Sequence, residues 1–483
     1  MATGTAADVA GLVDRHAGLL REMALEVWRA PELGLLEFRA SARQKEALRA
    51  QGFEIRSGIG GMATAFRATW GKGGPVIGFL GEFDALPALS QKVSEQREEA
   101  EPGGPGHGCG HNLLGTAAVG AALALKEALE AQGIEGTVAY FGCPAEESVN
   151  AKAFMARDGA FKDVDLCFYF HPGDSTVAGM QSCLATSTAV FTFHGIAAHA
   201  AADPEQGRSA LDAVELMNVG VNYLREHVPS DVRIHYTIIN GGGAPNVVPD
   251  LAASHYFVRA PSRENVDNAY ARVVDCARGA AMMTGTEVDV HLTDGLWNIL
   301  PNRTGAERLA VAMDALGPVP FDAEDRKLAR VLRTSLPKGA AERAEETYRA
   351  LGWEPGEGEN AALLQDRSMG VAGAGTVGHY STDAGDISWI VPTAFLSVAT
   401  APVGTPGHSW QNVAAAGSSI GLKGMLYAAK AMAVAALDFV REPALLACAK
   451  EDFERATRRT PYYQVVSELV APPHVPADAP WRA

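Results

Sequence analysis

Positive charge is in short supply here: 41 Lys and Arg stand against 57 Asp and Glu, a net charge of −16 over 483 residues. That balance excludes general binding to nucleic acid or to anionic membranes. It leaves a small substrate open, because a few local cations can make a basic pocket in an acidic protein. Cysteine is also sparse, with six residues at 109, 143, 167, 183, 276 and 448 and no CxxC pair. A disulfide framework is thereby excluded, and the pattern is that of reduced intracellular thiols, so a cytoplasmic location is expected. Cys109 is free to act as a ligand, and the other five read as small core residues. Residues 1–29 lack a continuous apolar segment with a small-residue cleavage site, so neither secretion nor a membrane span is expected. The apolar stretch 422–440 is interrupted by Lys430 and carries alanines at helical spacing, which fits a packed helix better than a membrane segment. No internal repeat is present. The remaining composition, 47% hydrophobic and 20% charged, is that of a globular enzyme, and the length calls for two domains.

The chemistry concentrates in Gly106-His107-Gly108-Cys109-Gly110-His111-Asn112, followed downstream by Glu146-Glu147. A thiolate and an imidazole two residues apart, on a glycine-rich turn, suit a borderline-soft divalent cation. Two adjacent carboxylates then offer one ligand and one general base, since a group that coordinates the cation is not free to take a proton. An ordinary loop with a buried thiol, and a helix-start acidic pair, remain equally open on these residues alone.

Several apolar runs end in polar residues, as strands of an open α/β sheet do where they deliver side chains to a cleft. The run 75–80 leads into Gly81-Glu82-Phe83-Asp84, 137–142 into Cys143-Pro144-Ala145-Glu146-Glu147, and 166–170 into His171-Pro172. Helical segments at 113–131 and 152–158 lie between them, predicting a mixed or parallel sheet covered on both faces. Asp84, Glu146, Glu147 and His171 then gather at one sheet edge. From about Thr188 the order becomes strand 189–193, helix 209–226, strands 232–239 and 251–259, helix 266–283 and strand 287–292. That βαββαβ order predicts a ferredoxin-like sandwich inserted in the first domain, with an edge strand or the helix pair free for self-association. The expected division is 1–187 and 297–483 for the catalytic domain and 188–296 for the insert. Residues 317–359 read as charged and helix-prone without a chemical role, and 90–106 as a solvated loop at the pocket mouth.

The sequence resembles the two-metal aminoacylase and carboxypeptidase G-type amidohydrolases. The matching stretches are Trp28 to Gly34, Gly81 to Pro87, Gly106 to Gly115, Pro144 to Glu147 and Phe193 to Ala213. They continue through Gly241 to Asp250, Ser381 to Trp389 and Gly404 to Gln411. The resemblance implies an α/β di-metal catalytic domain with an inserted dimerisation or lid domain. It implies two divalent ions per subunit, held by Cys109, His111, Glu147, His171 and His408. Manganese, zinc and cobalt all suit those donors. Glu146 would be the base that deprotonates a metal-bridging water and passes the proton to the leaving amine. Asp84 would orient a ligand imidazole, and His199 would reach a partner subunit's site to stabilise the oxyanion. Asn246 and Arg259 would contact the substrate carboxylate. Asp383, in Ser381-Thr382-Asp383, would line the same pocket or simply form a turn.

His408 is preferred to His379 as the last ligand on family position. His107 is expected to be structural, and Glu82 fits a ligand or a packing role equally. Asn112 stands where close relatives often have aspartate, favouring the branch that acts on p-aminobenzoyl-glutamate over auxin-conjugate hydrolases. The expected activity is therefore hydrolysis of N-acyl or N-aroyl amino acids. The expected assembly is a homodimer through the insert, or a heteromer with a related subunit. A dipeptidase on the same scaffold and a non-catalytic metal-binding subunit are the alternatives; retention of Glu146 with all five ligands argues against the second.

Overall fold

The computed structural model describes residues 5–355, 362–466 and 470. Its strands, in chain order, are β1 (Glu54–Ser57), β2 (Phe66–Lys72), β3 (Val76–Glu82), β4 (Gly136–Cys143), β5 (Leu166–Gly173), β6 (Val177–Gly179), β7 (Ala185–His194), β8 (Arg233–Asn240), β9 (Leu251–Ala260), β10 (Glu287–Leu296), β11 (Val371–Ala372) and β12 (Thr393–Ala399). Eight form one mixed sheet in the order β1-β2-β4-β3-β5-β12-β6-β11, and four form a second sheet in the order β10-β7-β9-β8. In the large sheet β4, β3, β5 and β12 run parallel. Every residue of β4 is buried. Such a strand must read as an almost unbroken apolar run, because both of its faces are covered by helices.

Two long helices supply much of that cover. His111–Gln132 starts at Gly110, whose φ of +77° places it in the left-handed region that glycine enters without strain. Ser419–Arg441 packs near it, and Gly424 lets that helix approach the backbone of Ala399, where a Cβ would overlap the carbonyl oxygen. Both helices are long and apolar enough to cross a membrane, yet 89% of each apolar window is buried inside the protein. They are core helices.

The second sheet is antiparallel throughout. Helices Ala210–Leu224 and Arg263–Thr284 pack on one of its faces around Val214, Met217, Tyr256 and Val273. Strand order and connectivity are those of a ferredoxin-like unit inserted between β6 and the helix Arg303–Leu316. Strand ends differ from the sequence expectation in a consistent way. β3 continues through Glu82, β5 through Gly173 and β10 through Leu296, because pairing with a neighbour carries a strand past the end of its apolar run. His171 thus lies within β5 rather than after it.

The charged region 317–359 forms helices Ala323–Thr334 and Ala340–Ala350, and its residues 356–359 lie outside the described residues. Those helices brace the chain near the site. Tyr348 donates to Asp174, and the second oxygen of Asp174 accepts from the Gly404 amide at 2.7 Å. The segment 90–106 is a solvated loop, exposed at residues 92, 93 and 95–103, and it is tied down at its ends by the Leu86–Gly106 bridge and by Ser90 N donating to Gly104 O at 2.9 Å.

Candidate active site

The C-terminal ends of the parallel strands lie side by side, Glu82 pairing with Cys143 and His171 with Ser397. This register brings the turns after β3 and β4 beside the glycine-rich turn and the end of β5. Asp84 links them: its Oδ1 lies 2.8 Å from His111 Nδ1, and its Oδ2 accepts from the Glu147 amide at 2.9 Å. Cys109 Sγ is 3.4 Å from His171 Nε2, while His171 Nδ1 donates to Pro172 O at 2.8 Å. His408 Nε2 is 3.3 Å from Glu147 Oε1. His408 has φ of +55°, strained for a residue with a side chain. Its amide donates to Gly108 O at 3.0 Å, and Asn412 Nδ2 reaches the same carbonyl at 2.6 Å.

Three donor groups result, Cys109-His111-His171, Cys109-Glu147-His408 and Glu82-His111-Glu146, the ligand atoms within each lying inside 4.8 Å of one another. His111 and His171 each tie one ring nitrogen to an oxygen and turn the other inward, the arrangement that fixes a metal-binding tautomer. His111 Nε2 and Glu82 Oε2 are buried, lie 3.2 Å from each other and make no hydrogen bond among the described residues. Buried polar atoms of that kind call for a partner. A thiolate, imidazoles and carboxylates together fit a borderline-soft divalent cation. The residues present therefore suit a metal.

Electrostatics agree with the geometry. Burial opposes ionisation of Cys109, but the charges of His171 and His111 prevail and lower the thiol to about 6. Burial likewise opposes the charge on Glu147, and the hydrogen bond with His408 and the nearby imidazoles bring it to about 2. Hydrogen bonds to Cys109 and Glu147 raise His408 to about 10. A cation held there would take the place of that imidazole proton. Glu146 behaves oppositely. Enclosure of its carboxyl, reinforced by the charges of Glu82 and Asp383, pushes it well above the usual carboxylate range. The two neighbouring glutamates are thus separated into a charged partner for ligands and a group suited to holding a proton.

Lys152 is the residue that sequence reasoning passed over. Fully buried, it places Nζ 2.5 Å from Glu82 Oε1 and 2.6 Å from Asp383 Oδ1, and its amide donates to Asp383 Oδ2 at 2.8 Å. Its ammonium holds Glu82 below the usual carboxylate value against the cost of burial. A lysine among Ala151, Ala153 and Phe154 was the available signal, because a charge in an apolar stretch needs a buried partner. Asp383 accordingly departs from its expected place on the pocket wall. It is buried, and both of its oxygens are occupied by Lys152.

Other expected positions join none of the three donor groups among the described residues. His107 is buried with Nε2 3.2 Å from Val27 O, and burial lowers it to about 3. His379 is exposed and joins none of the three donor groups among the described residues. In the inserted unit, exposed His199 accepts at Nδ1 from the amides of Ala201 and Ala202 at 3.2 and 3.0 Å, which leaves the proton on Nε2. Asn246 is joined to it through Ala200 N and Asn246 O at 3.0 Å. Arg259, at the end of β9, is half-buried over the Phe257 ring, and its Nε has no hydrogen-bond partner among the described residues.

A mixed sheet with metal donors at its strand ends and an inserted ferredoxin-like unit defines a metal-dependent hydrolase. Residues 186–282 match the peptidase dimerisation domain. The chain is 39% identical to a p-aminobenzoyl-glutamate hydrolase subunit of Escherichia coli over 93% of its own length and 95% of that protein's. It is 30% identical to the Xaa-Arg dipeptidase of Mus musculus over 92% of the chain and 90% of that protein. Among solved structures, the aminobenzoyl-glutamate utilization protein from Klebsiella pneumoniae shares the fold with a TM-score of 0.57 and 19% identity, covering 88% of this chain and 97% of that one. A dinuclear metal-binding peptidase of the M20 family from Bacillus subtilis does so with a TM-score of 0.53 and 17% identity, over 87% and 98%. The chain belongs to the M20 family of metal-dependent peptidases and amidohydrolases. It is a divalent-metal-dependent hydrolase of amide bonds.

Proposed function

We propose that the chain hydrolyses the amide of N-acyl or N-aroyl amino acids, with p-aminobenzoyl-glutamate as the reference substrate, releasing a carboxylic acid and the free amino acid. The observation that carries this reading is the division of labour at Glu146-Glu147. Glu147 faces His408 at 3.3 Å among the proposed ligands, while Glu146 lies beside Glu82 and His111, free to exchange a proton. Cys109, His111, Glu147, His171 and His408 would hold two divalent ions, manganese, zinc or cobalt, which when bound polarise the scissile carbonyl and acidify water.

Glu146 takes the proton from water and delivers it to the leaving amine. Asp84 keeps His111 in the tautomer that presents Nε2. The Nε2 proton of His199 suits an oxyanion and is offered to the site of a partner chain, in a homodimer or with a related subunit. Arg259 and Asn246 grip the substrate carboxylate, the guanidinium with a planar fork. The six unpaired cysteines accord with a cytoplasmic location.

The dipeptidase relative supports a second reading in which the leaving group is a basic amino acid. One panel separates the two. Metal-reconstituted protein is assayed on p-aminobenzoyl-glutamate, other N-acyl amino acids and Xaa-Arg dipeptides, with Glu146→Ala as control. Turnover of the aroyl-glutamate, reduced by about 10²- to 10⁴-fold in the control, is expected. Preference for Xaa-Arg favours the dipeptidase, and full activity of Glu146→Ala contradicts the mechanism.

A further inference from the structure

The stretch from Trp28 to Gly34 matches the family pattern yet supplies no ligand, base or substrate contact. Its surroundings give it a role. Val27 O lies 3.2 Å from His107 Nε2, two residues before Cys109. Trp28 Nε1 donates to Val413 O at 2.9 Å, on the helix that follows His408. Glu32 O accepts from the Ala85 amide at 2.8 Å, and Leu33 forms a parallel bridge with Ala85, next to Asp84. Glu37 Oε1 then accepts from the Ala145 amide at 2.8 Å, immediately before Glu146. One short segment therefore contacts four of the five pieces of chain that carry the proposed site, all but the end of β5 with His171.

Its contact with the Glu146 turn is the most demanding. Ala145 has φ of +54°, a conformation that costs a side-chain-bearing residue energy and needs support from its surroundings. Two features supply that support. Glu37 is fully buried and held on its other oxygen by Thr64 Oγ1 at 3.0 Å. Gly34 lies so close that a Cβ there would overlap Ser148 Oγ and crowd Ala145 at 3.1 Å. We propose that residues 27–37 form a positioning belt for the active site, with Glu37 as the positioning residue that sets the Ala145 turn and thereby aims Glu146 and Glu147. This rests on the reading of Glu146 as the base. Burial, with Asp84 adding to it, raises the Glu37 carboxyl to about 8. At neutral pH it is mainly the neutral acid, which glutamine imitates.

The test compares Glu37→Ala, Glu37→Gln, Thr64→Val and Glu146→Ala by kcat, KM, thermal midpoint and metal retention against a competing chelator. Glu37→Ala is expected to lose about 100-fold in kcat, as misplacement by an ångström can, with KM little changed and metal released more readily through Glu147. Glu37→Gln keeps the acceptor and restores most of both. Thr64→Val removes one of the two anchors of Glu37 but leaves its bond with the Ala145 amide, so it is expected to lower the midpoint and to lose less kcat than Glu37→Ala. If Glu37→Ala does not fold, Gly34→Ala decides: it is expected to lower kcat, with partial recovery in Gly34→Ala/Ser148→Ala. Native kcat and metal retention in a folded Glu37→Ala or Gly34→Ala, while Glu146→Ala is inactive, overturn the belt alone. Full activity of Glu146→Ala overturns the reading beneath it.

Discussion

The metal-ligand cluster and the substrate-facing residues of the inserted unit are built in opposite ways. At the sheet edge, each group is fixed by several elements at once: Asp84 binds both His111 and Glu147, and Lys152 joins Glu82 to Asp383. In the insert, His199 and Asn246 are exposed, and Arg259 has a buried Nε without a partner among the described residues. The donor groups of the first region all come from one chain. The second presents the His199 imidazole and the Asn246 side chain to solvent. Under the proposed function, that contrast means one chain holds the metal and a partner's insert completes the grip on substrate.

Breaking the first region should cost most. Lys152→Met leaves Glu82 and Asp383 as buried charges without their cation, so a loss of about 3–5 kcal/mol is expected in denaturant unfolding. A loss below about 1 kcal/mol, the range of exposed pairs, would place the triad outside the core of the site. Disturbing the second region should spare stability and reduce rate. His199→Ala is expected to keep its metal and its unfolding midpoint while kcat falls by about 10²- to 10³-fold. Co-refolding it with Glu146→Ala is expected to recover activity, because a mixed pair holds one site with both residues intact. Failure to recover any activity would put His199 and Glu146 in the same chain's site.

Sequence pattern made the parallel strands legible because buried central strands must be apolar on both faces, as Val76 to Leu80 and Thr137 to Gly142 are. The ferredoxin-like order was readable for the related reason that its helices and strands alternate periods. The edges were less legible. β1, β6 and β11 are short, and they owe their pairing to the strands beside them rather than to their own residues. In the site, Cys109, His111, Glu147, His171 and His408 could be assembled because their turns match a family pattern, and the structure brings them together. Asp383 could not be placed. Its neighbours Ser381 and Thr382 resemble a pocket wall, and only the fold shows Lys152 occupying both of its oxygens. Glu37 was hidden for the same reason, since its partner Ala145 is 108 positions away.

The central claim is that the donors at the sheet edge hold the catalytic metals. Anomalous scattering from a crystal of the metal-reconstituted protein tests it most directly. Two peaks are predicted, one bounded by Cys109, His111 and His171 and the other by Cys109, Glu147 and His408. Peaks elsewhere, or none in a protein that hydrolyses its substrate, would contradict the account.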